Sequence, residues 1–172
     1  MIMSAKSIAS SDQAAVIDRF RLRDLGPIRR LEKASFGAHA FDVTMFLYFA
    51  FSRSHRFLVA REQGEMVGYI VVQQSRLGSR MQGHIVSIAV REDRRRCRLG
   101  TLLMAGVLEP MRAAGVEEMV LEVGEKNLGA IHLYQNFGFR PDRTLPNFYG
   151  TGEHALRMVL TAQTQTFKRE SG

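Results

Sequence analysis

Val86-Ser87-Ile88-Ala89-Val90-Arg91-Glu92-Asp93-Arg94-Arg95-Arg96-Cys97-Arg98-Leu99-Gly100-Thr101-Leu102-Leu103-Met104 decides how this chain folds. A β-rich apolar run ends in a compact basic turn, and the turn opens at once into residues with helical apolar spacing. Such a turn leaves free backbone N–H groups at a helix start, at the favourable end of the helix dipole, with Arg side chains around them. It is an anion site, and it suits a phosphate or pyrophosphate.

The rest of the composition is compatible with one soluble domain. At 172 residues, 45% hydrophobic and 24% charged, the chain is long enough for a real core. No apolar run reaches the roughly 18 residues needed to span a bilayer, so no membrane partner is expected. The longest, Phe46 to Phe51, ends in Ser52-Arg53. Residues 1–15 lack the apolar centre of a signal peptide and, like residues 161–172, read as a flexible polar tail, leaving a single domain over 16–160. A lone cysteine, Cys97, forms no internal disulfide and suits a reducing cytoplasm. The net charge of +7 favours acidic or phosphorylated partners, and Arg91, Arg94, Arg95, Arg96 and Arg98 fall within one short stretch. A solvated loop is the plain reading of such a run; the helix behind it favours the anion site. His39, His55, His84, His132 and His154 show no metal-ligand spacing, so no metal is expected.

Outward from the turn, alternation predicts strands over Val16–Arg21, Arg56–Arg61, Met66–Gln74, Gly83–Val90, Glu118–Val123 and His154–Leu160. Gln63-Gly64-Glu65 reads as a hairpin turn and Gly78–Gly83 as a polar loop. Helices are expected after Asp24, a candidate cap, and after Asp42; from Gly100 to Ala114, with Gly115 just past its end; and from Asn127 to Asn136. This is a mixed α/β order: a largely antiparallel first half, then a crossover.

The basic turn is neither a Walker loop nor a Gly-x-Gly-x-x-Gly fingerprint. Arg95-Arg96-Cys97-Arg98-Leu99-Gly100 resembles the coenzyme A loop of the GNAT family of N-acetyltransferases, Gln/Arg-x-x-Gly-x-Gly/Ala. Arg98 stands where the first glycine belongs. It either strains the turn or adds a charge-assisted contact to phosphate. Leu121-Glu122-Val123, Asn127, Ala130, Leu133-Tyr134 and Gly138-Phe139 resemble a second block of the same family. Phe148-Tyr149-Gly150 through Met158 resembles the C-terminal part of protein N-terminal acetyltransferases, including the bacterial ribosomal-protein alanine acetyltransferases. Glu32 to Phe36 and Val67 to Ile70 also fit.

The resemblance implies a central, mostly antiparallel twisted sheet with splayed central strands flanked by helices. It implies acetyl-CoA as the cofactor. The pantetheine arm would pair with the backbones of Ile88, Ala89 and Val90. The pyrophosphate would lie on Arg95, Arg96, Cys97, Arg98, Leu99, Gly100 and Thr101, and Asn127 would bond the arm. Tyr134, also beside the cofactor, matches the general acid, and Glu122 the general base. Taken by themselves, Tyr134 is a packed phenol and Glu122 a strand carboxylate paired with an Arg. Phe36 and Tyr149 would line the acceptor groove, although core packing is the plainer reading of Phe36 and Phe148. His84, read as a structural histidine, could order a water near the amine.

The implied reaction is direct acetyl transfer, in a ternary complex, to the N-terminal amine of a protein, with a ribosomal protein favoured. The alternatives are a small-amine acetyltransferase of the same fold, a nucleic-acid module built on Arg91–Arg98, and a coenzyme A binder without activity. No base-reading helix or aromatic platform supports the nucleic-acid reading. Monomer and homodimer stay equally open.

Overall fold

The computed structural model describes residues 15–161. Seven strands form one sheet in the order β1-β2-β3-β4-β5-β7-β6. They are β1 Val16–Arg19, β2 His55–Glu62, β3 Glu65–Leu77, β4 Arg80–Val90, β5 Glu118–Gly124, β6 Arg140–Gly150 and β7 Glu153–Thr161. Four helices flank it: α1 Leu25–Phe36, α2 Val43–Phe51, α3 Leu99–Ala113 and α4 Leu128–Asn136. Every neighbouring pair is antiparallel except β4 and β5, which run parallel with α3 as their crossover.

Alternation along the strands divides the core between the two faces. Leu58, Ala60, Ile70 and Val72 pack with Leu103, Met104, Val107 and Met111 of α3 and with Tyr134 of α4. Phe57, Val59, Tyr69 and Val71 pack with Ile28 of α1 and with Phe46 and Phe49 of α2.

Three expectations need correction. Residues 140–150 form a strand where none was expected. Pro141 and Pro146 interrupt its pattern and almost all of it is exposed, as an edge strand allows. Gly78–Gly83 is not a loop. β3 and β4 carry their ladder to Leu77 and Arg80, beyond the core, and only Gly78-Ser79 turns, with Gly78 at φ +62°. Asp24 does not cap α1. Its carboxylate accepts two hydrogen bonds from Arg61, at 2.9 and 2.8 Å, and another from the Arg21 N–H at 2.7 Å. The shorter β1 ends in a 3-10 turn, Leu22–Asp24. Asp42 does cap α2, accepting from the Met45 N–H at 2.9 Å. The tails expected at 1–15 and 161–172 lie outside the described residues, apart from Ala15 and Thr161, which ends β7.

One feature of the sheet positions the site. β4 and β5 pair only from Gln82↔Glu118 to Ile85↔Leu121 and then part. The β3–β4 register slips at the same level, between Val71 and Val72, leaving Val86 as the extra residue. Such a bulge bends its strand and re-aims its side chains. Beyond it, β4 stays paired to β3 as far as Val90, while its β5 side has no strand partner.

Candidate active site

Where β4 and β5 separate, backbone groups along one edge of Ile88, Ala89 and Val90 are free to pair with an extended ligand, as an added strand would. The gap leads to the start of α3. The Leu102 N–H bonds the Arg98 carbonyl, so those of Leu99, Gly100 and Thr101 precede the first helical bond. Arg98 caps this end with φ +59° and ψ 7°, and Arg96 has φ +63°. Both adopt the left-handed backbone that glycine takes freely. The turn is therefore built in the glycine conformation with arginine in place, and the strain expected of Arg98 is present. Leu99, 1% exposed, anchors the helix start. A side chain at Gly100 would meet Leu133 at 3.0 Å, so this glycine lets α3 approach α4.

Not every arginine of the turn serves an anion. Arg91 pairs with Asp93 and Glu65, and Arg94 pairs with Glu62 at 2.8 Å. Arg95, Arg96 and Arg98 are exposed and have no ion-pair partner among the described residues. Those three guanidiniums and the free N–H groups could together hold a pyrophosphate. Exposed Cys97 directs its sulfur at the Arg95 carbonyl, 3.6 Å away. Asn127 caps α4, its Oδ1 accepting from the Ala130 N–H at 3.2 Å, so only its NH2 remains for a ligand carbonyl.

The reactive groups gather where the strands part. Glu122 of β5 lies 2.6 Å from Nε2 of His84 on β4. The contact with His84, helped by Arg157 and Arg143, holds the Glu122 carboxyl below its ordinary range. Glu122 is thus an ionised carboxylate that orients an imidazole. As a base acting alone it would need a raised pKa, and the structure shifts it the other way. Tyr134 is 5% exposed against Phe139, and burial pushes its phenol well above the ordinary value, so it stays protonated. Tyr149 donates from its hydroxyl to the Glu122 carbonyl at 3.3 Å. Burial and the nearby Glu122 carboxylate raise its phenol as well.

Over these groups the turn between α1 and α2 meets the β6–β7 hairpin. His39 Nε2 lies 3.2 Å from a Glu153 carboxylate oxygen, and the His39 ring is 5.9 Å from that of Tyr149. Phe36 and Phe148 are 36% and 50% exposed, so the core-packing reading of both is overturned. No group of three or more metal-ligating side chains occurs among the described residues.

The structure thus brings together Glu122, Tyr134 and Tyr149, and sets the coenzyme-loop residues in one continuous turn. Sequence reasoning gave His84 as a structural histidine that could order a water, and it did not single out His39, Arg143 or Arg157, which the fold sets beside these groups. The only local signal for His84 was its outward position on an apolar strand. His39 and Arg157 had none, because their partners lie on distant strands, and Arg143, although next to Asp142 in sequence, comes near Glu122 only through strand pairing.

The GNAT acetyltransferase family model matches residues 25–139. An N-alpha-acetyltransferase of Sulfurisphaera tokodaii is 38% identical over 112 residues, 60% of this chain and 67% of that protein. The crystal structure of the ribosomal-protein-S18-alanine N-acetyltransferase from Escherichia coli superposes with a TM-score of 0.73 at 23% identity, over 86% of this chain and 94% of that one. Arabidopsis thaliana NAA60 in complex with acetyl-CoA gives 0.77 at 18% identity, over 87% and 99%. At those identities the two structures attest the fold. The family match, the strand gap and the basic cradle lead to one conclusion: this chain belongs to the GNAT family of acetyltransferases, with acetyl-CoA as its co-substrate.

Proposed function

We propose that this enzyme acetylates the N-terminal amine of a protein by direct transfer in a ternary complex. The observation that carries the reading is the meeting of the α1–α2 turn with the β6–β7 hairpin, His39 against Glu153 and Tyr149, above the His84–Glu122 pair. These segments wall a groove that leads to the reactive groups from the acceptor side, and Phe36 and Tyr149 line it.

Acetyl-CoA supplies an acetyl thioester as the electrophile. Backbone groups of Ile88, Ala89 and Val90, with the Asn127 NH2, hold the arm. Arg95, Arg96 and Arg98, with the N–H groups of Leu99, Gly100 and Thr101, hold the pyrophosphate. His84, oriented by Glu122, accepts the proton of the attacking amine, directly or through one water. Tyr134 donates its proton to the departing thiolate, which the protonated state of its buried phenol permits. A ribosomal protein is the acceptor that the Escherichia coli neighbour's name suggests, and a cytoplasmic setting suits such an acceptor.

Thiol release from acetyl-CoA, measured with peptides beginning in Ala, Ser, Met or Gly beside spermidine and free amino acids, tests the reading. Turnover that depends on the peptide's first residue is the expected result. Turnover of the small amines alone refutes it.

A further inference from the structure

Beside Glu122 the sheet holds two arginines that share one carboxylate. Glu122 of β5 is in register with Arg157 of β7, and Arg157 is in register with Arg143 of β6. Like charges directly opposite on paired strands repel. Asp142 lies between the guanidiniums, its Oδ2 at 3.7 Å from Nη1 of Arg143 and 3.4 Å from Nε of Arg157. It hydrogen-bonds to neither of those atoms, and Nε of Arg157 is buried with no hydrogen-bond partner among the described residues. Arg143 keeps 61% of its side chain exposed. The spot therefore accommodates a carboxylate while leaving guanidinium donors unused. Register sets Arg157 next to Glu122 and Arg143 one strand further out, and both charges favour the ionised Glu122 carboxyl.

We infer that Arg143 and Arg157 select acceptors with an acidic side chain shortly after the N-terminal residue. The inference rests on the N-terminal reading above. Adjacent strands lie about 4.8 Å apart, so Arg143 is about 10 Å across the sheet from Glu122. An extended chain advances about 3.3 Å per residue, so an acceptor with its amine at His84–Glu122 has about its second to fourth residues in reach of the pair. An Asp or Glu there accepts charge-assisted bonds from the exposed Arg143 guanidinium, with the charge of Arg157 behind it.

The test is kcat/KM for peptides with one common first residue, followed by Asp-Asp, Ser-Ser or Lys-Lys. The expected order is acidic above neutral above basic, about fivefold to tenfold per step, flattening in high salt. Arg143→Glu reverses the order. Asp142→Asn, which frees both guanidiniums, widens the preference for acidic peptides. Turnover of all three peptides at equal rates overturns the inference and leaves the N-terminal reading standing. Turnover of none, with acetyl-CoA still bound, overturns both.

Discussion

Glu32 and Glu122 are carboxylates of one chain placed in opposite circumstances. Glu32, 1% exposed on α1, has no ion-pair partner among the described residues. It accepts from the Tyr69 hydroxyl and from the Phe41 N–H at 3.0 Å, and burial raises its pKa. Glu122, its side chain 15% exposed at the strand gap, faces an imidazole and two arginines, and its pKa falls. The more accessible group is the one whose charge is favoured. Burial without a counter-charge works against the charge of a carboxyl, whereas partial burial against imidazole and guanidinium favours it. The deeper carboxylate ties the Phe41 segment to β3; the shallower one meets His84 where β4 and β5 part.

The strongest challenge to this contrast comes from the reactive side. Tyr134→Phe should lower kcat by about 10²- to 10³-fold while the Kd for acetyl-CoA changes little, read by steady-state kinetics and calorimetry. An unchanged kcat removes the phenol from the proton path. Glu122→Gln should lower kcat by about 10- to 10²-fold with the melting temperature nearly kept, because the amide orients His84 without a charge.

Glu32→Gln should show the reverse profile: kcat within a few-fold of wild type, but about 1–2 kcal/mol lost from stability at acidic pH. The sign with pH separates the pair. Glu32 has a folded pKa above its ordinary 4.5, so its contribution is complete below that value and fades as pH rises through the raised one. The stability gap between wild type and Glu32→Gln should therefore shrink on going alkaline. Glu122 is shifted down from 4.5, so its contribution holds above that value and is lost as pH falls through the lowered one. Denaturant titrations of both variants across pH check the two slopes; parallel slopes break the contrast.

The smallest effect concerns the cofactor turn. Arg98→Gly relieves a left-handed arginine at φ +59° and should add about 1 kcal/mol of stability, a few degrees in melting temperature. The same change removes one of three unpaired guanidiniums and should weaken acetyl-CoA a few-fold. Tighter binding in Arg98→Gly would show that strain outweighs charge at this position.

Alternation in β2 to β5 and the spacing in α3 were readable because each strand or helix buries a periodic face, and periodicity is local information. The edge strand β6 was not readable. It buries almost nothing, and its prolines break the pattern that burial would impose. Asp24 looked like a cap because Asp before an apolar helix usually is one, but Arg61, 37 residues on, claimed its oxygens.

By itself, the amino-acid order determined a basic turn between a strand and a helix, a basic protein, and the residue types that match the family's coenzyme loop. Those features follow from neighbours along the chain, where backbone geometry links position to conformation. The tertiary structure alone decided that His84 meets Glu122 across 38 residues and that His39 meets Glu153 across 114. It also decided that β4 and β5 part just where the reactive groups stand. Strand register and the hand of the α3 crossover set those meetings, and both are settled by which faces the whole core can bury, a property no single segment carries.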